Sequence, residues 1–254
     1  VEGNAACFAE PAADFLDAMK ISRLDDLTRR GLAARTDVLD TRRDDGLVRH
    51  CHGDLHLRNI FLDDGKPTLF DGIEFSQDLA NIDVLYDLAF LLMDLDHRDL
   101  RLLASIVLNR YLDLTGDVDG LFLLPLFLAM RAAVRSHVGA AAAATLEDAA
   151  GAERGRSEAR QYLDLAISYL HPSTPCLVAI GGLSGSGKSR LSRAVAPGLG
   201  AAPGARIVRT DVVRKRLAGV DSTTRLPDDA YGREMTEQVY RCVGDEVRRT
   251  LAAG

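Results

Sequence analysis

Tryptophan is absent, aromatic residues of all kinds make up 6% of the sequence, and cysteine occurs four times in 254 residues. So few aromatics leave no stacking surface for unpaired bases. An excess of basic residues is also missing: 31 Lys and Arg face 37 Asp and Glu, a formal net charge of -6. An acidic balance argues against broad binding to nucleic acid or to an anionic membrane, because both need a basic face. Cys7, Cys51, Cys176 and Cys242 form no C-x-x-C pair, and a reducing cytoplasm is the simpler compartment. His50-Cys51-His52 is no metal site, since neighbours on a strand point to opposite faces. The longest apolar run, Leu121 to Met130, contains Pro125 and is too short to cross a bilayer. The start is alanine-rich and acidic, without the basic opening of a signal peptide. The expectation is a soluble cytoplasmic protein with no membrane partner and with room for two domains.

Two segments stand out from this background, about 130 residues apart. The first is His52-Gly53-Asp54-Leu55-His56-Leu57-Arg58-Asn59, followed by Leu69-Phe70-Asp71-Gly72-Ile73. Val48 to His52 reads as a strand leading into it. Ile60–Leu62 and Thr68–Phe70 flank the turn Asp63-Asp64-Gly65-Lys66, which predicts a hairpin. Helical period then takes over at Val84, Leu85, Leu88, Leu91, Leu92 and Leu95. Helices are also expected within 12–36 and over 98–114, 119–140 and 145–170, with the alanine run 140–144 continuing a helix. His97 and His137 read as ordinary helix-surface residues.

Transfer of a phosphoryl group to a hydroxyl needs an aspartate beside the attacking oxygen, and an asparagine and a second aspartate on the metal. Asp54, Asn59 and Asp71 have the order and spacing of a kinase catalytic loop and its magnesium aspartate. The segment resembles the aminoglycoside phosphotransferase and choline kinase-like family, whose form of this loop is H-G-D-x-H-x-x-N. The resemblance extends to Ile82–Phe90 and covers roughly 45–170. It implies Asp54 as catalytic base, Asn59 and Asp71 as Mg2+ ligands, and His52 and Asp87 as braces of the loop. Asp83 and Asp87 are at least as well explained as helix caps. His56 and Arg58 fit a substrate-phosphate contact or solvated and packing roles. The family's ATP-binding lobe should lie before this loop. The only lysine there is Lys20, in a helical stretch, so that lobe is expected to lie upstream of Val1.

The second segment is Gly182-Leu183-Ser184-Gly185-Ser186-Gly187-Lys188-Ser189, a Walker A loop. Its glycines let backbone amides converge on a phosphate, Lys188 reaches the terminal phosphates, and Ser189 ligates magnesium. His171 to Pro175 breaks the preceding helix. Cys176–Ile180 reads as a strand buried on both faces of a parallel sheet, 188–195 as a helix and 206–209 as a second strand. Thr210-Asp211 to Leu217 resembles small P-loop kinases of the gluconate kinase, polynucleotide kinase and zeta-toxin type. That resemblance implies Asp211 as acceptor-side base; a helix N-cap is the competing role. Arg214 fits a solvated helix face or a phosphate contact.

The expected architecture is α/β and α+β: the mostly helical C-terminal lobe of a protein-kinase-like fold over 1–170, a linker at 171–175, and the first half of a P-loop NTPase domain over 176–254. A chain opening on valine and stopping before any Walker B strand is expected to be an internal piece, inactive alone. As a whole it resembles bacterial proteins that fuse an aminoglycoside phosphotransferase-like domain to a P-loop ATP-binding kinase domain. The expected activity is ATP- and Mg2+-dependent phosphorylation of a small-molecule hydroxyl acceptor. The alternatives are a nucleotide-sensing regulatory module and, less favoured by the charge, a nucleic-acid end kinase.

Overall fold

A computed structural model describes residues 1–183, 185–221 and 223–254. Two compact units emerge: Val1–Ala104 with Leu123–Pro172, and Ser105–Phe122 with Ser173–Gly254. Ser105–Phe122, which lies within the stretch 1–170 expected as one lobe, packs with the residues from Ser173 onward.

In the first unit α2 (Ala18–Ala33) fills most of the stretch expected to be helical within 12–36, with α1 (Glu2–Phe8) before it and α3 (Thr36–Asp44) after it. Strand β1 (Val48–His50) pairs antiparallel with β4 (Asn81–Asp83). Between them β2 (Ile60–Asp63) and β3 (Lys66–Leu69) form the hairpin. Its loop is Asp64 and Gly65, with φ of 47° and 78°; two positive φ values give the strand twist a two-residue turn requires. A one-turn helix, α4 (Gln77–Ala80), precedes β4.

The core is helical: α5 (Val84–His97), α7 (Leu124–Ala144) and α8 (Ala149–Tyr169). Asp83 caps α5 by accepting from the Leu85 N–H at 2.8 Å, and the same carboxylate forms a buried pair with Arg42 at 2.6 and 2.8 Å. Leu85 and Leu92 are fully buried on α5, each worth ~1.5–3 kcal/mol by area removed from water. Pro125 sits in the first turn of α7, where no intrahelical N–H is lost. His97 and His137 are half-buried. His97 stacks on Tyr162 at 3.9 Å between centroids and His137 meets Phe8 edge-on at 5.5 Å.

The second unit is built on α6 (Arg101–Thr115, from Ser105 onward), α9 (Lys188–Val195), α10 (Thr210–Leu217) and α11 (Arg233–Ala253). The expected strands at 176–180 and 206–209 carry no ladder; Leu177 and Val178 are 64% and 52% exposed. A parallel strand is stable only between partners that take up its N–H and C=O groups, and among the described residues no strand lies beside either segment. Asn109 of α6 supplies a substitute. Its Oδ1 accepts from the Ile207 N–H at 2.7 Å and its Nδ2 donates to the Ala205 carbonyl at 3.1 Å. Arg206 is buried against Glu246 at 2.8 Å and Asp113 at 2.6 Å.

Candidate functional site

Strand β1 delivers the chain into a tight turn at Gly53, whose φ is 80° and where a Cβ would lie 2.9 Å from Ile73 Cδ1. Only glycine fits both conditions. The turn is held from below by Asp87, one helical turn into α5. Its carboxylate accepts from the backbone N–H groups of His52 (3.1 Å) and Gly53 (2.9 Å). Arg131 lies 3.8 Å from the same carboxylate and stacks over Tyr86. Two turns further along α5 the buried Asp94 accepts from the Leu57 N–H at 2.9 Å and pairs with Arg98 at 3.0 Å. A single helix face thus fixes both ends of the loop.

Asp54 is held within this frame. Asn59 Nδ2 donates to its carbonyl and to its Oδ2, both at 2.9 Å. The ring of His56, 9% exposed, lies 3.3 Å from the same Oδ2 through Nε2. His56 Nδ1 accepts the Arg58 N–H at 3.2 Å, so the ring proton sits on Nε2 and donates to Asp54. This bond, foremost, holds the Asp54 carboxyl below its ordinary range against the opposing effect of burial. The other carboxylate oxygen, Oδ1, makes no hydrogen bond among the described residues.

The β3 exit is tied to the same loop. The Phe70 N–H donates to the Asn59 carbonyl at 3.1 Å, and His52 Nε2 donates to the Phe70 carbonyl at 2.8 Å. Asp71 follows at once, exposed, with φ of 59° and no hydrogen bond or ion pair among the described residues. The Oδ1 of Asn59 is likewise without a donor. One amide oxygen and one carboxylate suit Mg2+, which takes few protein ligands and completes its octahedron with phosphate and water.

In the second unit Gly182, Gly185 and Gly187 have φ of 147°, 78° and 85°. Gly187 caps α9, so the first N–H groups of that helix face the loop. Lys188 Nζ donates to the carbonyls of Gly182 (2.7 Å) and Leu183 (2.6 Å). Ser189 is exposed in the first turn, and the Ser186 N–H donates to the Leu183 carbonyl at 3.2 Å. Ser184 lies outside the described residues. Asp211 does not cap α10: the cap position is Arg209, and Asp211 pairs with Lys215 at 3.0 Å. Arg214 is buried instead of solvated, donating to the Ala230 carbonyl at 2.7 Å beneath the Tyr231 ring. The two residues the motifs undervalued are His56 and Asp94. The signal for Asp94 is its place seven residues after Asp87 on an otherwise apolar helix, which puts both carboxylates on one face.

These two sites match two known families. Residues 6–121 match the phosphotransferase enzyme family and residues 177–254 match an AAA domain. The chain therefore carries a phosphotransferase-family domain followed by a P-loop domain. Uncharacterized proteins of Mycobacterium tuberculosis, Rv2004c in strain H37Rv and MT2060 in strain CDC 1551, are each 31% identical over 238 residues, as is Mb2027c of Mycobacterium bovis. Those 238 residues are 92% of this chain and 46% of theirs, so it spans about half the length of the curated relatives it matches. No solved structure matches it. Among the described residues no helix is long and apolar enough to cross a membrane.

Proposed function

We propose that the Asp54 site transfers the terminal phosphoryl group of ATP to a hydroxyl of a small molecule. The observation that carries this is the asymmetry of the Asp54 carboxylate: His56 and Asn59 occupy Oδ2, while Oδ1 is open. An ionised carboxylate with one oxygen anchored and one open is a positioned proton acceptor. The acceptor hydroxyl loses its proton to Asp54 as its oxygen bonds to phosphorus, and the bond to the bridging oxygen of the departing diphosphate breaks. Asn59 and Asp71 would hold Mg2+, which supplies charge neutralisation for the nucleotide phosphates. The P-loop domain binds a second nucleotide through Lys188, Ser189 and the amides of 182–187, with Asp211 on the acceptor side. The setting is cytoplasmic, and neither nucleic acid nor membrane is the partner.

A screen of hydroxyl metabolites for ATP consumption tests this, using the protein and its Asp54→Asn and Lys188→Ala variants. Asp54→Asn should slow transfer by ~10²–10⁴-fold. Lys188→Ala should weaken nucleotide binding at the P-loop alone. Unchanged turnover in Asp54→Asn, with the P-loop silenced, removes the assignment.

A further inference from the structure

Arg131 and Arg135 stand one turn apart on the same face of α7. Arg131 lies over the Phe90 ring at 4.8 Å, and His56 of the Asp54 loop packs edge-on against that ring at 5.3 Å. Arg135 lies over the Tyr162 ring of α8 at 5.5 Å, and Tyr162 stacks on His97 at the end of α5. The loop is bonded to this same stretch of α5 through Leu57 and Asp94. Arg135 therefore stands beside the loop, and its charge adds to the larger effect of His56 in lowering the Asp54 carboxyl. Unlike Arg131, Arg135 is in no ion pair among the described residues. Its neighbours do not neutralise it. Burial, foremost, raises the Tyr162 hydroxyl, so that side chain is a neutral phenol. Asp94 is bonded to Arg98, Glu158 faces His97 at 3.9 Å, and Asp54 has its Oδ2 occupied by His56 and Asn59.

We propose that Arg135 selects a hydroxy acid as the acceptor and holds its carboxylate while Asp54 takes the hydroxyl proton. The proposal rests on the Asp54 reading and adds the class of substrate. An ionised aspartate repels an anionic acceptor, so a site that takes one needs a fixed cation close by. A guanidinium fork engages a planar carboxylate through two parallel bonds. The face of Tyr162 supports the guanidinium from behind and limits how it turns. An uncharged acceptor would leave this cation without a task.

Titration calorimetry and phosphate transfer from ATP are measured on Lys188→Ala protein, in which the P-loop is silenced. The probes are glycerate, threonate, galactonate and 3-hydroxybutyrate, each against its alcohol: glycerol, threitol, galactitol and butane-1,3-diol. At least one acid should bind and accept phosphate in preference to its alcohol. Arg135→Met keeps an apolar stem over Tyr162 and should weaken binding of that acid about tenfold or more. Arg135→Lys keeps the charge without the fork and should lose less. Both variants should keep the parental circular dichroism. In turnover, Arg135→Met should raise the KM for the acid and leave the nucleotide KM unchanged. A fall in kcat alone, equal for acids and alcohols, would mean that Arg135 acts only through Asp54, and overturns the proposal. So does the absence of binding by any of the acids up to about 10 mM, or equal affinity with and without the Arg135 guanidinium. Transfer to an acid that survives Asp54→Asn removes the Asp54 reading and leaves selection by Arg135 standing. Transfer that Asp54→Asn abolishes, but that reaches acids and alcohols alike, does the reverse.

Discussion

Replacing Asp87 by asparagine tests whether α5 positions the Asp54 loop. The carboxylate accepts two backbone N–H bonds, at 3.1 Å from His52 and 2.9 Å from Gly53, and is 7% exposed. Hydrogen bonds to a charged group contribute ~1.5–3 kcal/mol each. Asparagine keeps one acceptor oxygen, now neutral, and turns its amide donors toward the other N–H. One bond is weakened and one buried donor is left unmet, a cost of about 2–4 kcal/mol. Arg131 meanwhile loses the carboxylate 3.8 Å away and keeps its Nε bond to the Tyr86 carbonyl at 3.1 Å and the faces of Tyr86 and Phe90. Denaturant unfolding should report the loss globally. Amide hydrogen exchange at His52 and Gly53 should report it locally, with exchange accelerated about 30-fold or more, since each 1.36 kcal/mol is a factor of ten. Phosphoryl transfer should fall as well, because Asp54 is the next residue in the chain. An unfolding free energy within ~0.5 kcal/mol of the parent, with protection at both amides unchanged, would refute the idea that Asp87 sets the loop.

Three further outcomes follow from other contacts. His56→Phe keeps the packing against Phe90 but removes the donor to Asp54, so kcat should drop with little change in nucleotide KM; His56→Gln restores an N–H and should recover part of kcat, and equal rates in the two variants would contradict the positioning role. Arg206→Met leaves Asp113 and Glu246 buried with one cation fewer, which should cost about 3–5 kcal/mol of stability in the second unit, less whatever Arg209 and Arg216 recover; a loss below about 1 kcal/mol in thermal unfolding would show the network is not structural. Burial foremost lowers the folded-state pKa of both His97 and His137. The unfolded chain therefore takes up protons first as pH falls through about 6.5, and stability should decline from there toward pH 5; a His97→Gln, His137→Gln double variant should flatten that slope, and an unchanged slope would assign it to other groups.

Much of the first unit could be read from residue order. The apolar period from Val84 to Leu95 predicts α5, and Asp64-Gly65 predicts the hairpin turn, because both depend on contacts a few residues apart. The H-G-D-x-H-x-x-N spacing likewise brings Asn59 onto Asp54 by local geometry. What was not legible depends on partners distant in sequence. Cys176–Ile180 has the composition of a buried strand, but composition does not provide a neighbour, and the segment is exposed. Arg214 looks like a solvated helix residue until the 228–231 turn folds over it. His56 carries no sign of its orientation until the Arg58 N–H fixes its tautomer.

The Asn109 side chain bonds residues i and i+2 of the 205–207 segment, as an adjacent strand would. Asn109 belongs to the stretch matched to the phosphotransferase family, and 205–207 to the stretch matched to the AAA domain. The two family matches therefore end at different places from the two physical units. Anyone who divides this protein at Pro172 to obtain a P-loop domain removes α6, and with it the amide that satisfies Ala205 and Ile207 and the carboxylate that meets Arg206. A piece beginning near Ser173 would carry a buried arginine short of one counter-ion and would leave the Ala205 carbonyl and the Ile207 N–H without the Asn109 amide. For expression or crystallisation the unit to preserve includes residues 105–122, although the family matches place them in the other domain.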